Sequence, residues 1–228
     1  MRRLGTVAVI AGLAALLAGC GGSSSGGQDN PIVAQNSNGP SSATSCPQVP
    51  TPSSTPQQYS SEPTMCIELT SYTATIVTNQ GTVVATLDGT KAPHTVNSFK
   101  FLADHKYFDN SPCHRLTTQG IFVLQCGDPT GTGQGGPTYQ FKDENLANAS
   151  YTQGVVAMAN SGPNTNGSQF FLIYKDSATL PKKYTVIGKI TEGLNVVQKV
   201  ANSGEDDSNG PGDGHPNTDV IIKNVNRT

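Results

Sequence analysis

Charge of either sign is scarce in this 228-residue chain: 14 Lys and Arg stand against 16 Asp and Glu, a formal net charge of −2. With neither a basic patch nor an acidic run, the sequence argues against a nucleic-acid surface and against a solvating acidic tail. The four histidines, His94, His105, His114 and His215, lack metal-ligand spacing. No phosphate loop is present either, so neither a metal nor a cofactor is expected. The apolar stretch from Leu4 to Leu17 falls short of the ~20 residues that a spanning helix needs. What is plentiful is Gly, Pro, Ser, Thr and Asn, a mix that fits short strands joined by many turns beside at least one unstructured segment.

The N-terminus accounts for part of that bias. Arg2 and Arg3 precede the apolar stretch as a signal peptide's positive region precedes its apolar one. The stretch ends in Leu17-Ala18-Gly19-Cys20, which resembles the lipobox of bacterial lipoproteins. That resemblance implies removal of residues 1–19 and a diacylglyceryl group on Cys20, with export to the outer face of the bacterial cell membrane. Residues 20–71 come next, with no apolar periodicity from Gly21 to about Pro63. Gly/Ser-rich at first and Pro/Ser/Thr-rich later, they are expected to form a disordered tether.

Strand-like alternation begins near Tyr72. "YTATIVTNQGTVVATL" holds two alternating runs about a turn at Asn79-Gln80-Gly81. Val96, Phe99, Leu102 and Ala103 then recur at helical spacing after Pro93. Short strand candidates follow at 113–116, 121–125, 155–159, 170–174 and 185–190, with a second helix from about Gly193 and a final strand in "TDVIIKNVN". Some eight short strands and two helices suggest a closed antiparallel sheet.

Four segments in order narrow the reading: "APHTVNSFKFLA", "CHRLTTQGIFVLQCGDPTGTG", "FKDEN" and "VVAMANSGPNTNGSQFFLIY", with "YTVIGKITEGLNVV" after them. Over residues 72–228 the chain resembles the cyclophilin family of peptidyl-prolyl cis–trans isomerases, in a form similar to exported actinobacterial members. The resemblance implies a mainly β domain, an eight-stranded antiparallel barrel closed by two α-helices. It also implies rotation about X–Pro bonds in proline-containing peptides and exported client proteins. Nothing in the sequence points beyond a monomer.

The same resemblance assigns roles. Arg115 matches the arginine that stabilises the twisted amide. Phe122, Val123, Phe171 and Leu180 match the proline pocket, with Val123 standing where methionine is common. Gln125 and Gln169 match positions that bond the peptide or orient the arginine. Ala159, Asn160 and Ser161 match the stretch whose backbone pairs with the residue before proline. Gly131, Thr132 and Gly133 border a neighbouring pocket, and His114 has a structural rather than a catalytic part. Three departures stand out: Thr179 where tryptophan is common, Tyr184 where histidine is common at the rim, and an Arg115–Phe122 connection two residues longer than in compact members. The first implies weak cyclosporin binding.

With Cys20 lipidated, four cysteines remain for an oxidising compartment. Cys46 with Cys66, and Cys113 with Cys126, are the candidate disulfides; strand register decides whether the second pair faces one another. The leading reading is a lipid-anchored isomerase. A second reading uses the same groove without its catalysis: a proline-peptide docking module of the cell envelope.

Overall fold

The computed structural model describes residues 56–228. The expected leader, Cys20, Cys46 and the tether up to residue 55 lie outside the described residues. Among the described residues there are ten strands, β1 (Ser71–Thr78), β2 (Gly81–Asp88), β3 (Ser111–Pro112), β4 (Arg115–Thr117), β5 (Val123–Cys126), β6 (Val155–Met158), β7 (Phe170–Ile173), β8 (Val186–Glu192), β9 (Asp213–Gly214) and β10 (Ile221–Arg227). Helix α1 (Pro93–Asp104) follows β2 and helix α2 (Leu194–Asn202) follows β8.

All pairings are antiparallel, in the order β3-β10-β1-β2-β8-β6-β7-β5-β4-β9. β3 and β4 are two halves of one segment. The first half pairs with β10 and the second with β5, so the sheet curls round to meet itself along residues 111–117. Counted that way the barrel has the expected eight strands, and β9 is a two-residue addition on β4.

Alternation builds the interior. Ala74 and Ile76 of β1, and Val83, Ala85 and Leu87 of β2, point inward and are buried. β6 and β7 depart from this pattern: every residue of both is buried. Val156, Met158, Phe170 and Leu172 face the main core. Val155, Ala157, Phe171 and Ile173 face a second apolar cluster on the other side of the sheet. A strand covered on both faces reads as a continuous apolar run, which is why "QFFLIY" shows no alternation.

Helix α1 is buried beyond its expected stripe, since Asn97 and Phe101 are covered as well as Val96, Phe99 and Leu102. The cover is a strap formed by residues 56–70, which the sequence pattern placed in the tether. The Tyr59 side chain is fully buried, with its ring edge-on to Phe101 at 4.9 Å. The Tyr59 N–H donates to the Pro137 carbonyl. Asn97 accepts from the Cys66 N–H at 3.0 Å and donates to the Pro63 and Thr64 carbonyls. The packed chain thus reaches back to Pro56, beyond the expected boundary at residue 72. At its N-terminus α1 is capped by Glu144 of the "FKDEN" segment, whose carboxylate accepts from the amides of His94 and Thr95.

Tyr59→Ala removes a buried ring and leaves a cavity, and is expected to cost about 3 kcal/mol of unfolding free energy. Urea denaturation measures this, and a loss below about 0.5 kcal/mol would mean that the strap is not part of the fold.

Candidate active site

Register carries side chains from four strands into one row. Arg115 on β4 lies opposite Gln125 on β5, Gln125 opposite Phe171 on β7, and Phe171 opposite Ala157 on β6. Directly paired residues share a sheet face. A guanidinium, an amide and an aromatic ring therefore line up on the outer face of the barrel, although the chain separates them widely.

Beside that row lies a hollow of about 120 Å³, lined by Arg115, Ile121, Val123, Gln125, Ala159, Asn160, Phe171, Leu180 and Tyr184. An apolar cavity of roughly 150 Å³ accepts a benzene ring, so this one suits a five-membered ring. Its floor is the second apolar cluster, and Tyr184 stands edge-on to Phe171 at 5.5 Å. A larger hollow of about 550 Å³ shares Gln125, Ala159 and Asn160 with the first. It adds Ser161, Gln169, Gly133 and Gln58, and its wall is mostly main chain and uncharged polar side chains.

One residue assigned to the proline pocket is displaced. Phe122 does not line the small hollow; it packs towards the main core, edge-on to Tyr174, with the Lys175 Nζ 4.3 Å from its ring centre. Ile121 lines the hollow instead. The cause is the two-residue period: 121, 123 and 125 share one face, while 122, 124 and 126 share the other. Gly131 and Thr132 also lie outside both hollows, and of that trio only Gly133 lines the larger one. Val123, Gln125, Ala159, Asn160, Phe171, Leu180 and Tyr184 meet Arg115 at the small hollow, while Ser161 and Gln169 sit at the larger.

Arg115 is held on two edges. Its Nε and one terminal nitrogen donate to the two oxygens of Asp213 at 2.7 and 2.5 Å, and its other terminal nitrogen donates to Gln125 Oε1 at 3.1 Å. Bonding to Asp213 keeps the guanidinium's pKa above its ordinary value, and bonding to Arg115 holds the Asp213 carboxyl below its own. The amide chain then continues. Gln125 donates to Gln169 Oε1 at 2.8 Å, and Gln169 donates to the carbonyls of Gly133 and Gly135 at 3.0 and 2.9 Å. Both glutamines are thereby oriented, as a partly buried amide requires.

The far end of that chain is anchored by Asp128, which is fully buried. Its carboxylate accepts from the amides of Thr130, Gly133 and Gly135 and from the Thr130 hydroxyl. Gly135 is required there, since a Cβ would collide with that carboxylate. Burial pushes the Asp128 carboxyl up, but the Thr130 hydroxyl and the three amides together outweigh it and hold the pKa below its ordinary value. His114 is buried, which pushes its imidazole pKa down. A buried ring suits the structural part assigned to it.

The rim is set by local bonds. Asn160 spends its side chain on the Lys183 carbonyl and the Gly162 amide. Among the described residues no hydrogen bond engages the main chain of Asn160, which leaves it available to an added strand. Thr179, which stands where tryptophan is common, donates to the Gly120 carbonyl and so ties down the lengthened connection after β4. Cys113 and Cys126, the residues just before His114 and just after Gln125, form a disulfide. Cys66 is disulfide-bonded too, while Cys46, its expected partner, lies outside the described residues.

Fold and site together define an antiparallel β-barrel with a two-chambered groove on its outer face. The family model described as cyclophilin type peptidyl-prolyl cis–trans isomerase/CLD matches residues 73–227. A probable peptidyl-prolyl cis–trans isomerase B of Mycobacterium tuberculosis is 47% identical over 164 residues, which cover 66% of this chain and 52% of the relative. The corresponding Mycobacterium leprae protein is 45% identical over 166 residues, covering 67% and 55%. The chain thus spans about half the length of these relatives. A crystal structure of a Cryptosporidium parvum cyclophilin type isomerase superposes with a TM-score of 0.61 at 31% identity, covering 69% of this chain and 98% of that one. The same protein was also solved in the presence of the dipeptide Ala-Pro, with a TM-score of 0.60 at 32% identity. The chain belongs to the cyclophilin-type peptidyl-prolyl cis–trans isomerase family.

The depressed pKa of Asp128 has a pH consequence. Its contribution to stability is complete above the unfolded carboxyl's pKa of about 3.9 and is lost as pH falls through the lower folded value. Denaturation midpoints followed from pH 6 to pH 3 are expected to fall less steeply in Asp128→Asn, which starts less stable and has no carboxyl to protonate. Parallel curves for the two proteins would remove Asp128 as the anchor.

Proposed function

We propose that this chain is a peptidyl-prolyl cis–trans isomerase acting on proline-containing segments of exported proteins. The observation that carries the reading is that the Arg115 fork lines one ring-sized hollow together with Val123, Phe171 and Leu180, on the sheet face it shares with Gln125. An X–Pro bond resists rotation because amide resonance sets a barrier of roughly 18–20 kcal/mol. Lowering that barrier requires no bond to be broken. It requires a site that holds the ring, lets the preceding carbonyl turn, and favours the pyramidal nitrogen of the twisted amide over the planar one.

The residues suit each need. Phe171, Val123, Leu180 and Ile121 offer apolar walls to a prolyl ring. The main chain of Asn160 offers strand pairing to the residue before it. Of the five N–H donors on a guanidinium, three are spent on Asp213 and Gln125, which leaves two for substrate. Donors aimed at charge that develops only in the twisted state accelerate rotation. Family membership and the isomerase names of the mycobacterial relatives support this reading, and so does the solution of the Cryptosporidium protein in the presence of Ala-Pro.

The setting is read from the N-terminus. Arg2, Arg3, the apolar stretch and Leu17-Ala18-Gly19-Cys20 support export and a lipid anchor on Cys20, with the segment up to residue 55 as the tether. The Cys113–Cys126 disulfide agrees with an oxidising compartment.

In a steady-state cis–trans assay on an X–Pro peptide, Arg115→Ala is expected to lower kcat/KM on the order of 100-fold. Equal rates for the two proteins would remove the catalytic assignment, and binding without acceleration by the wild type would favour the docking module. Expressed in a bacterial host that lipidates exported proteins, Cys20→Ser is expected to move the chain from the membrane fraction to the soluble exported one. Membrane retention of that variant would contradict the anchor.

A further inference from the structure

Arg115 meets a carboxylate that none of the family-like motifs contains. Asp213 lies 98 residues further along the chain, in the long connection between α2 and β10. That connection is mounted firmly. β9 pairs with β4, setting Thr117 opposite Asp213 and Leu116 opposite Gly214. The Asp213 amide donates to the Gly210 carbonyl, and the Asn209 amide donates to the Asp213 carbonyl. The Asn209 side chain donates to Asp213 Oδ1 at 3.2 Å. Gly212 has a left-handed backbone, φ +76°, and lies against the side chain of Gln119, where a Cβ would approach to 2.6 Å. Thr118 ties the same two loops twice, through its amide to the Gly212 carbonyl and through its hydroxyl to Glu205.

The geometry points to Asp213 as a positioning residue for isomerisation, one that locks the plane of the Arg115 guanidinium so that its two remaining donors face the small hollow. This inference rests on the isomerase reading. Degrees of freedom support it. An arginine side chain is flexible, and a single bond to Gln125 at 3.1 Å leaves the guanidinium free to turn about it. The paired bonds to Asp213 engage a second edge, and three bonds on two edges of a planar group fix its orientation. A donor misplaced by about 1 Å can cost up to 100-fold in rate. The opposite effect is also physical: a carboxylate at 2.5 Å offsets part of the charge offered to the substrate. Orientation and neutralisation predict opposite signs for the loss of Asp213, so a rate measurement separates them.

The test uses four full-length proteins: wild type, Asp213→Asn, Arg115→Ala and the double variant, assayed on one X–Pro peptide. Asp213→Asn keeps the size of the side chain and is expected to lower kcat about tenfold with KM nearly unchanged. In the Arg115→Ala background the same substitution is expected to change nothing, because Asp213 acts through Arg115. Asp213→Glu is expected to recover part of the rate, and the Arg115 Nε–H resonance should shift in Asp213→Asn while the rest of the 15N spectrum stays folded. An unchanged or higher kcat in Asp213→Asn overturns the inference, as does an equal fall in both backgrounds. A wild type that does not exceed the spontaneous rate overturns the isomerase reading itself, so the two failures are distinguishable.

Discussion

The hydrogen-bonded chain from Asp213 through Arg115, Gln125 and Gln169 to the Asp128-bound loop is the constraint on which the site depends. Each link has one direction. A guanidinium can only donate, so Gln125 turns its oxygen to Arg115 and its nitrogen to Gln169. Gln169 then presents its own nitrogen to the carbonyls of Gly133 and Gly135. Those glycines are held in turn by the buried Asp128 carboxylate, which accepts their amides. A carboxylate stands at each end, and the one cation of the chain is paired with Asp213. The chain runs from β4 through β5 to the residue just before β7 and ties the wall of the small hollow to that of the large one.

The rest of the architecture serves that row. The barrel supplies a stiff sheet whose register, rather than sequence proximity, brings Arg115, Gln125, Phe171 and Ala157 together. A second apolar cluster on the outer face gives the small hollow its floor. The Cys113–Cys126 disulfide crosses from the segment leading into β4 to the end of β5, flanking the Arg115–Gln125 pair. The strap has a similar effect on the larger hollow. Gln58 donates to the Gly136 carbonyl and accepts from the Thr138 hydroxyl, and the Tyr59 amide holds Pro137. A segment adjoining the N-terminal region thus forms part of the groove wall.

Much of the barrel was legible because alternation and hairpin turns are local signals. β1, β2, α1 and α2 follow from residues within a few positions of one another. The site was legible only through motifs, and local geometry decided which of the matched residues meet at the hollow. Phe122 matched the family's pocket position, but the pleat turned it inward and brought Ile121 to the hollow; phase counted back from Gln125 would have found Ile121. The strap escaped notice because one buried tyrosine and scattered hydrogen bonds, several through side chains such as Asn97 and Gln58, hold it, and none of these leaves a periodic trace. Asp213 was invisible for a different reason: a two-residue strand pairing brings it to Arg115, and no pattern in an acidic, glycine-rich loop announces such a pairing.

The central claim is that one groove both holds the prolyl ring and speeds its rotation. Exchange NMR on an isotope-labelled Ala-Pro peptide, with the protein in catalytic amount, reads both at once. The account predicts cis–trans exchange faster than the spontaneous process, which takes on the order of tens to hundreds of seconds, together with contacts from the prolyl ring protons to Val123, Phe171 and Leu180. Contacts to that hollow with no gain in exchange rate, or acceleration with the ring bound elsewhere, would contradict it.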